Sequence, residues 1–162
     1  MSTDTETGVS RDDFWDALGN ATAGMLSAGS AKPAPMTHYI DSDRGLLWFV
    51  TARDTDLARE LARGSQAATH VVGEGGARIY ARIEGEAELV MDREKLDEIW
   101  NPVADAWFEE GKSDPDLVMI RMRLIEAEVW LTPGTARFFY EIAKAQVSGD
   151  RPDGGSHGVV RF

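Results

Sequence analysis

The chain has 162 residues, 43% of them hydrophobic and 28% charged, with a formal net charge of −11 and no cysteine. That balance fits one globular domain able to bury its own core, and the missing cysteines exclude disulfides, thiolate catalysis and Cys-ligated metals. A negative field of this size opposes nucleic-acid phosphates and anionic membranes, and no apolar run is long enough to span a bilayer.

Residues 1–9 are expected to be a flexible N-terminus. The opening MSTDTETGVSRDD is acidic and polar, unlike a secretory or mitochondrial leader, so a cytoplasmic location is expected. The match of Asn20-Ala21-Thr22 to a glycosylation sequon is then accidental. Ser10 reads as an N-cap, followed by a short helix carrying Phe14, Trp15 and Leu18 and ending near Gly19-Asn20. Residues 22–28 read as a first strand, 29–33 as a turn and 35–40 as a second strand. Asp41-Ser42-Asp43-Arg44-Gly45 is turn chemistry. Leu46 to Thr51 follows as a strand with little polarity on either face, which predicts burial on both sides.

Asp54-Thr55-Asp56 caps a short helix with Leu57, Ala58 and Leu61. Residues 66–72 read as a strand and Gly73 to Gly76 as its hairpin turn. The clearest alternation in the chain runs from Ala77 to Met91. It sets Ile79, Ala81, Ile83, Ala87, Leu89 and Met91 on one face, with Gly85 where a bulge or bend is expected. Asp92-Arg93-Glu94-Lys95 opens a helix to Trp100, and Asn101-Pro102 starts another through Phe108. Leu117 to Leu131 is a second long strand. Its apolar phase is even through Leu124 and odd from Ile125, a slip that points to a bulge at a barrel corner. Residues 135–147 form a terminal helix, and 149–162 a glycine-rich tail from which Val159, Val160 and Phe162 are able to dock. Six strands with hairpin turns predict a mostly β, antiparallel barrel with short helices, spanning residues 10–148.

Catalytic constellations are sparse. His38, His70 and His157 lack metal-ligand spacing, and the first two fall in strands, where a satisfied structural histidine is the ordinary case. No serine has a nucleophile-elbow context. Glu109-Glu110 and the Glu126/Glu128 pair read better as solvated faces than as acid/base pairs. Among the tryptophans, Trp15, Trp48, Trp100 and Trp107 take core positions by default. Trp130 lies opposite Val129 and Leu131 and is exposed in a monomer, as a dimer seam or a stacking surface for a planar ring.

Several segments together resemble one family. They are Phe14-Trp15, Gly24-Met25-Leu26, Pro35-Met36-Thr37, Leu47 to Thr51, Asp54-Thr55, Gly85 to Glu88, Asp92-Arg93 and Trp100-Asn101-Pro102. Trp107-Phe108, the Glu109–Gly111 spacing, Asp114 to Leu117, and Ala127 to Trp130 continue the series. In order and spacing the chain, from about residue 10 to 146, resembles the general stress protein branch of the pyridoxamine 5′-phosphate oxidase-like split barrels. The resemblance implies a six-stranded split barrel forming a homodimer, with FMN in two clefts at the subunit interface. It implies that Pro35, Met36 and Thr37, with Phe49, Val50, Thr51 and Ala52, line the isoalloxazine and ribityl chain. The turn from Asp54 to Leu57 approaches the phosphate, and Trp130 of a partner subunit closes the cleft.

The sequence departs from the family at the phosphate. Ala34 stands where the family commonly has Arg, and Leu57 where it commonly has Lys. A charged hydrogen bond contributes roughly 1.5–3 kcal/mol, so losing two removes about two to four decades of affinity. Lys32 and Arg53 flank the expected phosphate end as substitutes. Two functions follow from this pattern. One is an FMN-binding flavoprotein with flavin-dependent oxidoreductase chemistry. The other is a non-catalytic split-barrel dimer with weak or lost FMN binding, serving as a scaffold or a binder of another planar ligand.

Overall fold

The computed structural model describes residues 8–133, 135–149 and 155–162, and the expected flexible N-terminus, residues 1–9, lies mostly outside them. Its spine is made by the two long alternating segments, β6 (Ile79–Leu89) and β7 (Leu117–Leu131), which pair antiparallel. Around them lie β1 (Ala23–Ala28), β2 (Ala31–Thr37), β3 (Tyr39–Asp41), β4 (Leu46–Ala52), β5 (Gln66–Glu74) and β8 (Ser156–Arg161). They form one curled sheet in the order β2-β1-β5-β6-β7-β4-β3, with β8 added on β7. The mostly β, antiparallel class read from the turns is the class observed. Among the described residues no helix is long and apolar enough to cross a membrane.

Strand β7 changes partner halfway. Leu117 to Arg123 pair with β4, whereas Glu126 to Leu131 pair with β8. The change coincides with a bulge: Glu84 opposes Glu126 but Gly85 opposes Leu124, leaving Ile125 as the extra residue. Ile125 is therefore exposed rather than the first of the odd-numbered inward set, and the odd phase begins at Ala127 and Val129. Gly85 is required there, because a Cβ at this position would overlap the Arg123 carbonyl.

Among the described residues there are five α-helices: α1 (Arg11–Asn20), α2 (Asp56–Leu61), α3 (Arg93–Ile99), α4 (Pro102–Trp107) and α5 (Thr135–Ser148). The first four start where side chains cap them. Ser10 accepts from the Asp13 amide, Thr55 from Ala58, Asp92 from Lys95 and Asn101 from Ala104. Strand β4 is buried on both sides for a structural reason. Leu47 and Phe49 enter the main core with Phe14, Leu18, Leu26 and Ile83, while Leu46 and Trp48 meet Leu96, Leu117 and Met119 beneath α3.

Four expectations need correction. The second strand starts at Ala31, not Pro35, and runs through Pro33 where a turn was expected; β2 is an edge strand, where a missing amide leaves no ladder bond unmade. Met91 lies beyond the end of β6 and is exposed. Trp107 is 80% exposed rather than core. The tail contributes β8, whose Val160 is fully buried, and Phe162 packs at 5.4 Å from Phe14 and 5.6 Å from Trp15. With His38 separating β2 from β3, these changes raise the strand count from six to eight among the described residues.

Candidate ligand-binding cleft

Beyond Trp48, the face of β4 that is covered by α3 opens. There Val50, Thr51 and Ala52 lie across from β2, and α4 rises alongside. Between them is a cleft of about 430 Å³ lined by Pro35, Met36, Thr37, Tyr39, Val50, Thr51, Ala52, Thr55, Val103, Ala104, Trp107 and Phe108. That volume lies within the range of sites that enclose a drug-sized ligand. The lining is apolar with a few hydroxyls, those of Thr37, Tyr39, Thr51 and Thr55. Thr51 Oγ1 lies 3.5 Å from Thr55 Oγ1, and Thr55 Oγ1 donates to the Ala52 carbonyl at 3.0 Å.

Six residues singled out from sequence line this cleft: Pro35, Met36, Thr37, Val50, Thr51 and Ala52. Three do not within one protomer. Phe49 points to the opposite face of β4 and is wholly buried in the main core. Arg53 is exposed and donates Nη2 to the Pro115 carbonyl at 2.6 Å. Trp130 is half-exposed on the outer face of β7, stacked on His157 at 4.9 Å and opposite Tyr80. The α4 wall was missed because Trp107 was given a core position by default. The signal that could have found it is that α4 is only six residues long and carries a Trp-Phe pair at its end.

The phosphate positions turn away from the cleft. Leu57 is 2% exposed in the main core, and Ala34 packs against the same core. Among the described residues no Lys, Arg, carboxylate or imidazole lines the cleft. Lys32 instead lies at a neighbouring depression with Arg59 and Arg63, beside Asp56 and Glu60.

Two polar networks stiffen the walls. Lys95 of α3 reaches Asp41 Oδ2 at 3.4 Å and also pairs with Glu98, while Asp41 accepts from Arg44 Nε at 2.9 Å and Trp48 Nε1 at 3.3 Å. Burial raises the Asp41 pKa, but these donors outweigh it and hold the carboxyl below its usual range. Behind Phe49, His38 Nε2 lies 3.0 Å from the Leu18 carbonyl and His38 Nδ1 lies 3.0 Å from His70 Nε2. The carbonyl can only accept, so in the neutral pair His38 Nε2 carries its proton, His70 Nε2 donates to His38 Nδ1, and His70 Nδ1 is left as a buried acceptor with no partner among the described residues. The expectation of two satisfied histidines thus holds for His38 and fails at one nitrogen of His70.

The profile of pyridoxamine 5′-phosphate oxidase-like proteins matches residues 10–153. The chain belongs to the pyridoxamine 5′-phosphate oxidase-like family. Within that family it is similar to a protein described as general stress protein 26 from Jannaschia sp. CCS1. The two share 43% identity over 93% of this chain and 96% of that one, with a TM-score of 0.87. A protein described as a general stress family member from Xanthomonas campestris pv. campestris is 30% identical over 77% of this chain and 88% of its own, with a TM-score of 0.67. The general stress FMN/FAD binding protein from Xanthomonas citri is 29% identical over 77% and 90%, with a TM-score of 0.68. These place the chain in the general stress protein branch of the pyridoxamine 5′-phosphate oxidase-like family. No curated protein sequence matches the chain significantly.

Proposed function

We propose that the cleft between β2, β4 and α4 binds a flavin, with FMN as the natural form, in a homodimer. The observation that carries this is the lining itself: a slot of about 430 Å³ with apolar walls and a few hydroxyls, of which those of Thr51 and Thr55 lie side by side at 3.5 Å. Such a slot suits a flat apolar ring followed by a polyhydroxyl chain. The Xanthomonas citri relative, described as an FMN/FAD binding protein, supports the same ligand class. Pro35, Met36, Thr37, Val50, Thr51 and Ala52 would hold the ring and ribityl chain. The flavin would supply the redox chemistry, and this chain would supply position and exclusion of water. The polar groups among the described lining residues are the hydroxyls of Thr37, Thr51, Thr55 and Tyr39, and that of Tyr39 accepts from Asn101 Nδ2 at 3.0 Å.

The second copy would pack on the outer face of the sheet. There Pro35 opposes Met25 and Met25 opposes Val71, so an apolar row starts beside the cleft. Tyr80 and Trp130 oppose one another in the next row, and all four large side chains are exposed.

A second reading is favoured by a specific observation: no Lys or Arg is among the described lining residues, and Ala34 and Leu57, where the family resemblance implies cations, pack against the main core. On that reading the cleft takes a planar ring without phosphate, and the dimer is a binder rather than a redox enzyme. Comparing riboflavin with FMN by equilibrium dialysis separates the two. FMN binding tighter by tenfold or more means that Lys32, Arg53 or Arg59 reaches the phosphate. Equal affinities favour the phosphate-free ligand, and binding of neither removes the flavin.

A further inference from the structure

The wall opposite the sheet is unusual in its exposure. Val103 and Trp107 stand one helical turn apart on α4, both line the cleft, and they are 69% and 80% exposed. The helix is nonetheless held firmly from its other side. Asn101 caps it and donates to the Tyr39 hydroxyl, and Trp100 donates Nε1 to Asp105 Oδ1 at 3.3 Å. Trp100 and Phe108 lie 6.3 Å apart, packed against the smaller core that Lys95 and Asp41 tie to β3. Among the described residues Trp107 has no ring partner. The largest apolar side chain of the cleft is thus set on an anchored helix and left in water, across from Met36 and Val50.

We propose that Trp107 is the ring-stacking residue of this site, so that a planar heteroaromatic ring lies between the indole and the wall formed by Met36, Val50 and Thr51. This rests on the reading of the cleft as a flavin site and adds the residue that selects for a flat ring. An indole face gains both buried area and aromatic contact when an electron-poor ring covers it, and a non-planar ligand of the same volume gains only the area. A second copy of the chain has a different surface to use, the outer row of Met25, Val71, Tyr80 and Trp130. Val103 and Trp107 instead face a slot walled on both sides.

Trp107→Ala and Trp107→Phe test the assignment against the unmodified protein, with riboflavin as the probe in equilibrium dialysis, because riboflavin lacks the phosphate. Trp107 touches no core, so both variants should keep the far-ultraviolet circular dichroism of the parent. Stacking of a base on an aromatic side chain sets the scale, and Trp107→Ala should weaken riboflavin on the order of ten- to a hundredfold. Trp107→Phe should keep most of the affinity while the bound flavin becomes more fluorescent, since phenylalanine cannot quench it by electron transfer. Unchanged affinity in Trp107→Ala overturns the assignment and leaves the flavin reading standing. A shift from dimer to monomer mass with unchanged affinity overturns it in favour of a second copy covering the indole. If neither riboflavin nor FMN binds the unmodified protein, the flavin reading falls and this assignment with it.

Discussion

His70 should make this protein acid-labile in a way that one substitution removes. Its imidazole is fully buried, donates to His38 and leaves Nδ1 with no partner among the described residues, so burial, with a smaller contribution from His38, lowers its pKa from 6.5 to about 3. Burial also lowers His38, partly offset by the Leu18 and Ala21 backbone and by Glu74. The sign follows from proton uptake: below pH 6.5 the unfolded chain binds protons that the folded chain refuses, so stability is full above that value and falls as pH drops toward 3. At about 1.4 kcal/mol per pH unit, His70 alone removes about 2 kcal/mol between pH 6.5 and pH 5. His70→Gln keeps a donor for His38 Nδ1 and cannot titrate. Urea unfolding at pH 7, 6 and 5 should show the parent losing about 2 kcal/mol more than the variant by pH 5. Other titrating groups are common to both proteins and cancel. Parallel curves for the two would refute the reasoning, because the imidazole pair would then take up protons equally in folded and unfolded chains.

Gly85→Ala should destabilise by about 2–4 kcal/mol in the same unfolding assay, since its Cβ has no place beside the Arg123 carbonyl at the bulge. Asp41→Ala should cost about 1–3 kcal/mol, removing the acceptor of Arg44 and Trp48 and leaving Lys95 only Glu98, and should increase amide exchange across α3 and α4. Removing residues 155–162 should strip β8 from β7 and uncover Phe14 and Trp15, seen as a drop in thermal midpoint and binding of an apolar dye. A truncated chain as stable as the parent would show that β8 adds nothing to the core.

Much of this was legible because period and burial coincide. In β6 the odd residues Ile79, Ala81, Ile83 and Ala87 are buried, as alternation requires, and the slip in β7 located the bulge to within one residue. The caps Ser10, Thr55, Asp92 and Asn101 announced their helices. Illegible features depended on partners distant in sequence. Strand β8 has a glycine-rich approach and pairs only because β7 runs past β4 and leaves an edge. Residues 29–33 looked like a turn because Gly29 and Pro33 bound them, yet an edge strand tolerates Pro33. Six cleft residues followed from the family resemblance, but sequence alone could not tell that Val50 faces the cleft while Phe49 faces the core. Nor could it show that Leu57 points inward or that Trp107 stays in water.

Methyl-resolved NMR of the protein titrated with riboflavin tests the central claim most directly. The account predicts that ring-current shifts concentrate on the methyls of Met36, Val50, Ala52, Val103 and Ala104, saturate with one ligand per chain, and leave Leu26 and Val129 unmoved. Saturable shifts confined to Met25, Val71 and Ile125 on the outer face, or no shifts at all at saturating ligand, would contradict it.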